Sequence, residues 1–94
     1  MVKHIVMWKL KPEHMEENAQ AIKEALENLN GKIPGLRRLT VNRCYNGYDL
    51  VLESELDTRE DCASYGDHPL HQEALKIVRP AITERVACDY EVED

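Results

Sequence analysis

Apolar residues recur along this chain at two different periods, and the changes between those periods mark its elements. In the opening VKHIVMWKLK, His4, Val6, Trp8 and Leu10 fall on one face of an extended segment and Lys3, Ile5, Met7 and Lys9 on the other. Beyond Pro12 the spacing widens to fours and threes. Met15, Ala19, Ile22, Leu26 and Leu29 then form one stripe, which predicts a helix to about Asn30. Glu13, Glu16 and Glu17 lie near its positive end, and Gly31 suits a left-handed terminator. Alternation returns from Arg37 to Cys44, with Leu39 and Val41 on one side. Asn46-Gly47 signals a hairpin, and YDLVLESEL follows with Leu50, Leu52 and Leu56 facing one way. Asp57 and Glu60 have the spacing of a capping box, so a helix is expected to start at Asp57. Gly66 and Pro69 interrupt it, and a new helical stretch opens at His68-Pro69. There Leu70, Ala74, Ile77 and Ala81 make one stripe, and His71, Leu75, Val78 and Ile82 the next. The last strand, RVACDYEV, puts Val86, Cys88, Tyr90 and Val92 on one face.

The order β-α-β-β-α-β predicts an α+β, ferredoxin-like fold: a four-stranded antiparallel sheet with its helices on one face. Nothing divides the chain, so residues 1–94 are expected to form a single domain. The strands nevertheless carry two apolar sets. Val6, Leu39, Leu50 and Leu52 match the helices; Ile5, Met7, Val51 and the Val86–Val92 face lie on the side no helix covers. An apolar patch of that kind marks a contact surface. The sidedness therefore predicts a homodimer packed sheet against sheet through the open face, as a dimeric α/β barrel. A chain this short buries only about 60–65% of its unfolded surface, and association is a common remedy.

Charge and composition narrow the function classes. The formal net charge of −6 argues against a nucleic-acid partner and against anionic membrane surfaces. No apolar run is long enough to span a bilayer. The N-terminus enters a strand pattern without a signal-peptide core, so a cytoplasmic location is the expectation. Cys44, Cys62 and Cys88 are widely separated and form no Cys-x-x-Cys, which predicts reduced, packing thiols. Neither metal nor cofactor is expected, because His68 and His71 supply too few ligands and no second pair completes them.

Candidate chemistry concentrates in SYGDHPLHQ, Ser64 to Gln72. The stripe of His71 turns an imidazole toward apolar surroundings, and His4 shares its strand face with Val6 and Trp8. With Tyr65, the two histidines converge if that face lies beneath the helices. A neutral imidazole suits general base work near neutrality, and a tyrosine suits hydrogen-bond donation to a carbonyl or a developing enolate. His68, before Pro69, is expected to cap a helix rather than to react.

VKHIVMWKLK, YDLVLESE, the Tyr-x-x-His-Pro-x-His segment at Tyr65–His71 and the terminal Asp89-Tyr90 fall in the order of the stress-responsive α/β-barrel domain family, which the whole chain resembles. The resemblance implies a dimeric barrel and a stress-associated or accessory role. A plant polyketide-cyclase branch of that family performs a cofactor-free aldol cyclisation. Its motif tyrosine matches Tyr65, its second motif histidine His71 and its strand histidine His4. This chain departs from that branch in having no Phe to line a pocket.

Three readings follow. The first is a dimer with a modest pocket for a small apolar or carbonyl ligand, lined by His4, Val6, Trp8, Leu39, Leu52, Tyr65 and His71. The second is a cofactor-independent cyclase, isomerase or lyase with His71 as base, Tyr65 as donor and His4 as the third catalytic candidate. The third is a structural or interaction module whose cavity Trp8 fills. A cavity beside His71 that a ligand can enter separates the first two from the third.

Overall fold

The structure, a computed structural model, describes residues 1–93. Strand β1 (Val2–Leu10) leads to helix α1 (Met15–Glu27), strands β2 (Leu36–Arg43) and β3 (Leu50–Leu56), then helices α2 (Arg59–Asp67) and α3 (Pro69–Val78). A single 3-10 turn, Arg79–Ala81, delivers the chain to strand β4 (Ile82–Glu91). The sheet order is β2-β3-β1-β4, with every neighbouring pair antiparallel. This is the expected ferredoxin-like βαββαβ arrangement, its second helical unit split into two at His68. No helix among the described residues is long and apolar enough to cross a membrane.

Register shows why one face of the sheet is the core. Val6 pairs with Leu52 and Trp8 with Leu50 across β1 and β3, and Leu52 pairs in turn with Val41 on β2. These side chains are buried against Ala19, Ile22 and Leu26 of α1 and against Tyr65, Ala74 and Val78 of α2 and α3. Burying an aliphatic side chain of this size contributes about 1.5–3 kcal/mol.

The helix ends differ from the pattern in places: α1 closes at Glu27 rather than near Asn30, and α3 stops at Val78, so that Ala81 lies in the 3-10 turn and Ile82 in β4. Thr58, not Asp57, caps α2: its hydroxyl oxygen accepts from the Asp61 amide at 3.1 Å, and its O–H donates to the Asp61 carboxylate at 3.0 Å. Asp57 instead holds Arg37 at 2.5 Å. His68 does cap α3, its Nδ1 accepting the Leu70 amide at 3.1 Å. Arg43, at the end of β2, reaches Glu16 on α1.

The two edge strands are treated unequally. Along β2, the Asn30 side chain donates to the Leu39 carbonyl and accepts its amide, both at 2.8 Å. Glu27 accepts the Val41 amide while Lys23 donates to the Val41 carbonyl. The end of α1 thus satisfies backbone groups that an edge strand otherwise offers to other chains. No such cover reaches β4, whose residues beyond Ile82 are all exposed through Glu91. The helical layer rests on β1, β2 and β3 and stops short of β4, and the space left there is the cavity.

Candidate functional site beside the last strand

The cavity has a volume of about 810 Å³ and lies between β1 and β4 on one side and α2 and α3 on the other. Drug-sized ligands occupy pockets of about 300–1,000 Å³. Its floor is apolar, with Val6, Trp8, Leu26 and Leu52; Leu75, Val78 and Ile82 continue that surface from α3 to the start of β4. Toward solvent the walls turn polar, with Arg59, Arg79, Arg85, Asp89 and Glu91.

Three rings stand together in the wall. Tyr65 projects inward from α2 and is only 2% exposed. Its ring centroid lies 4.4 Å from that of His71, at an interplanar angle of 44°. The His4 ring meets Tyr65 edge-on with centroids 6.1 Å apart. The break at His68 sets this arrangement, because it lets α3 restart with His71 turned back toward α2, while Gly66, expected to interrupt the helix, lies within α2. His71 Nδ1 lies 3.0 Å from the Gly66 carbonyl oxygen, which can only accept. The proton of neutral His71 therefore resides on Nδ1, and Nε2 keeps the basic lone pair. Burial pushes the His71 pKa below its ordinary 6.5; the Gly66 carbonyl opposes that shift, and His4, Arg79 and Arg85 add to it. His71 is thus neutral, and able to act as a base, from below neutrality upward.

Tyr65 has the opposite character. Its hydroxyl is cut off from solvent and has no hydrogen-bond partner among the described residues. Burial raises its pKa far above the ordinary tyrosine value, so it stays a protonated donor. A buried polar group without a partner costs about 1–3 kcal/mol, so such groups call for an explanation.

On the sheet side, His4 Nδ1 contacts the Asp89 carboxylate across the β1–β4 ladder, where the two residues are register partners. The carboxylate accepts, so it fixes the tautomer and ring orientation of His4. Half-buried Cys62 stands beside them, its thiol pKa raised by burial and by Asp89. His4, Cys62 and Asp89 each present one ligand atom, all within 4.8 Å of one another, a donor set that zinc accepts.

The sequence-predicted residues His4, Val6, Trp8, Leu52, Tyr65 and His71 thus share one cavity wall. Leu39 does not: it is buried on β2, separated from β1 by β3. Trp8, 3% exposed, forms wall rather than filling, and the cavity remains beside it. Asp89, Cys62 and the three arginines were not singled out as site residues by the sequence. A signal for two of them was present, because assigning Val86, Cys88, Tyr90 and Val92 to the open face sends Arg85 and Asp89 to the helix side.

The pattern of the stress responsive A/B barrel domain matches residues 2–92. The chain belongs to the stress-responsive A/B barrel domain family. A search of the curated proteins finds none that matches. Among solved structures, a dimeric protein of unknown function and ferredoxin-like fold from Bacteroides fragilis is similar at 34% identity and a TM-score of 0.88, over 97% of this chain and 95% of that one. A dimeric ferredoxin-like protein of unknown function from Thermobifida fusca is 25% identical, with a TM-score of 0.85 over 97% and 90% of the two chains. The hydroxynitrile lyase of Passiflora edulis shares the fold at 20% identity and a TM-score of 0.84, over 99% and 94%. In this member of the stress-responsive A/B barrel family, the Tyr-x-x-His-Pro-x-His segment is the corner between α2 and α3 that brings Tyr65 against His71.

Proposed function

We propose that this A/B barrel protein binds a small carbonyl compound in the cavity beside β4 and moves a proton at the carbon next to the carbonyl, using its own side chains. His71 Nε2 takes the proton from that carbon, and the bond's electron pair passes into an enolate. The Tyr65 O–H donates a hydrogen bond to the oxygen on which the charge develops. The enolate then regains a proton from His71, or attacks a second carbonyl to close a carbon–carbon bond, the oxygen of that carbonyl taking the proton from His71; the reverse sequence opens such a bond. The observation that carries this reading is the Tyr65 hydroxyl, buried without a protein acceptor beside an imidazole whose basic nitrogen is free. A carbonyl oxygen is the acceptor it lacks. The cavity left beside Trp8 favours this reading over a purely structural module.

The same proposal includes a homodimer through the open sheet face. Ile5, Met7 and Val51 lie there, beside Val86 and Tyr90, which are 39% and 48% exposed. The dimeric relatives support it.

Hydrogen–deuterium exchange at the α-carbons of phenylacetone and acetophenone, followed by NMR in D2O, tests the chemistry. Exchange above the buffer rate is expected, falling by at least about a hundredfold in His71→Gln and in Tyr65→Phe. Exchange that survives both substitutions would reject the assignment.

A further inference from the structure

The charges around the cavity do not cancel. In a chain of net charge −6, its wall carries three arginines against Asp89 and Glu91. Arg59 is bound to Glu91, and Asp89 is bound to His4. Arg79 and Arg85 are left, and neither makes an ion pair among the described residues. They arrive from different elements, Arg79 from the turn after α3 and Arg85 from β4 opposite Trp8. Both line the cavity that His71 also lines, and both add to the lowering of the His71 pKa.

We infer that the ligand is an oxo acid: one molecule with an apolar body, a carbonyl and a single carboxylate, the carboxylate held by Arg79 and Arg85. The inference rests on the proposed acid–base reading and adds the substrate class to it. An apolar body fits the floor of Val6, Trp8, Leu26 and Leu52. Guanidinium groups are matched to carboxylates in shape and charge, and a cleft with low-dielectric walls strengthens the pairing. The same cations help the chemistry, because they favour the negative charge of the enolate that His71 generates.

The probes are phenylpyruvate, benzoylpropionate and benzoylbutyrate, which differ in the distance from carbonyl to carboxylate, each beside its methyl ester, with benzyl phosphate as the dianion. Affinity is read by titration of the 15N-labelled His71 ring. At least one acid is expected to bind about tenfold more tightly than its ester. In R79Q/R85Q that preference disappears while the ester's affinity is unchanged; R79K/R85K retains part of it. Both arginines are exposed, so these variants keep the fold. Equal affinity of acid and ester throughout the series overturns the oxo-acid inference and leaves the carbonyl reading standing, because the esters still bind. Tighter binding of benzyl phosphate than of any acid overturns the carboxylate assignment. Failure of every acid and every ester to shift the His71 resonances overturns the inference together with the reading beneath it.

Discussion

Tyr65→Phe separates the two things a buried hydroxyl can be doing. If it were a structural tie, removing it would lower stability. Among the described residues it has no partner, and it has almost no exposure, so the unliganded protein carries a desolvation cost of about 1–3 kcal/mol that none of their hydrogen bonds offsets. Phenylalanine keeps the ring, its 4.4 Å contact with His71 and its edge contact with His4. Only the oxygen is lost, and the void it leaves returns a small part of the gain. The net expectation is a stabilisation of about 1 kcal/mol. For a domain of this length, that raises the melting temperature by about 4–8 °C. Calorimetry at one fixed protein concentration reads the shift, because coupling to the proposed dimerisation would make melting concentration-dependent. The same variant is expected to lose exchange activity on phenylacetone, so stability and function move in opposite directions. A melting temperature below wild type would refute the reasoning, since it would mean that the hydroxyl is held by a partner in the unliganded protein. Unchanged stability with unchanged exchange would refute its functional half.

Three further outcomes are expected. His71 has a depressed pKa in the folded chain, so at pH values just below 6.5 the unfolded chain binds the extra proton and the folded chain does not. Stability should therefore decline as pH falls through that window toward the folded value. His71→Gln should flatten the decline in urea titrations run at successive pH values; an equally steep decline in the variant would contradict it. Val86→Glu combined with Tyr90→Glu places two charges on the open sheet face and is expected to turn a dimer into a monomer in light scattering, with dimers at wild-type affinity as the contrary result. Gly35→Ala is expected to cost about 1–3 kcal/mol, read by thermal melting. Gly35 has a φ of +82°, and an added Cβ would lie 2.6 Å from Cβ of Asp61, so both backbone and space oppose it. A loss below about half a kcal/mol would show that the Gly35 turn and α2 move apart freely.

The architecture was legible because the switch between two periodicities is a physical consequence of burying one face of each element. The alternation of β1 placed His4 with Val6 and Trp8, and the stripe of α3 placed His71 toward the same layer. The cap of α2 was less legible, because Asp57–Glu60 and Thr58–Asp61 are offset by only one residue and either can cap a helix. Thr58 holds the position while Asp57 is bound to Arg37, a contact that only the folded β2 supplies. Leu39 shows what face assignment leaves out. Its face was read correctly, but alternation gives no lateral coordinate, and the order β2-β3-β1-β4 puts β3 and β1 between it and β4.

The site followed from the failure of a simple rule on β4. A strand is read by asking which side is apolar, and Val86, Cys88, Tyr90 and Val92 answered for the open face. The complementary residues, Arg85, Asp89 and Glu91, were given no role by that apolar pattern. They face the helical side of the sheet, but the helices do not extend over β4, so polar residues there remain wet while standing beside a buried floor. That geometry is what a ligand site requires: water-accessible charges at the rim, dry apolar walls below, and a titratable ring between them. A helical layer one strand wider would have buried Arg85 and Asp89 and excluded both. Polar residues on the helical side of an edge strand, opposite His4 and Trp8 in the neighbouring strand, were the mark of this cavity in the sequence, and it takes the strand order to read them.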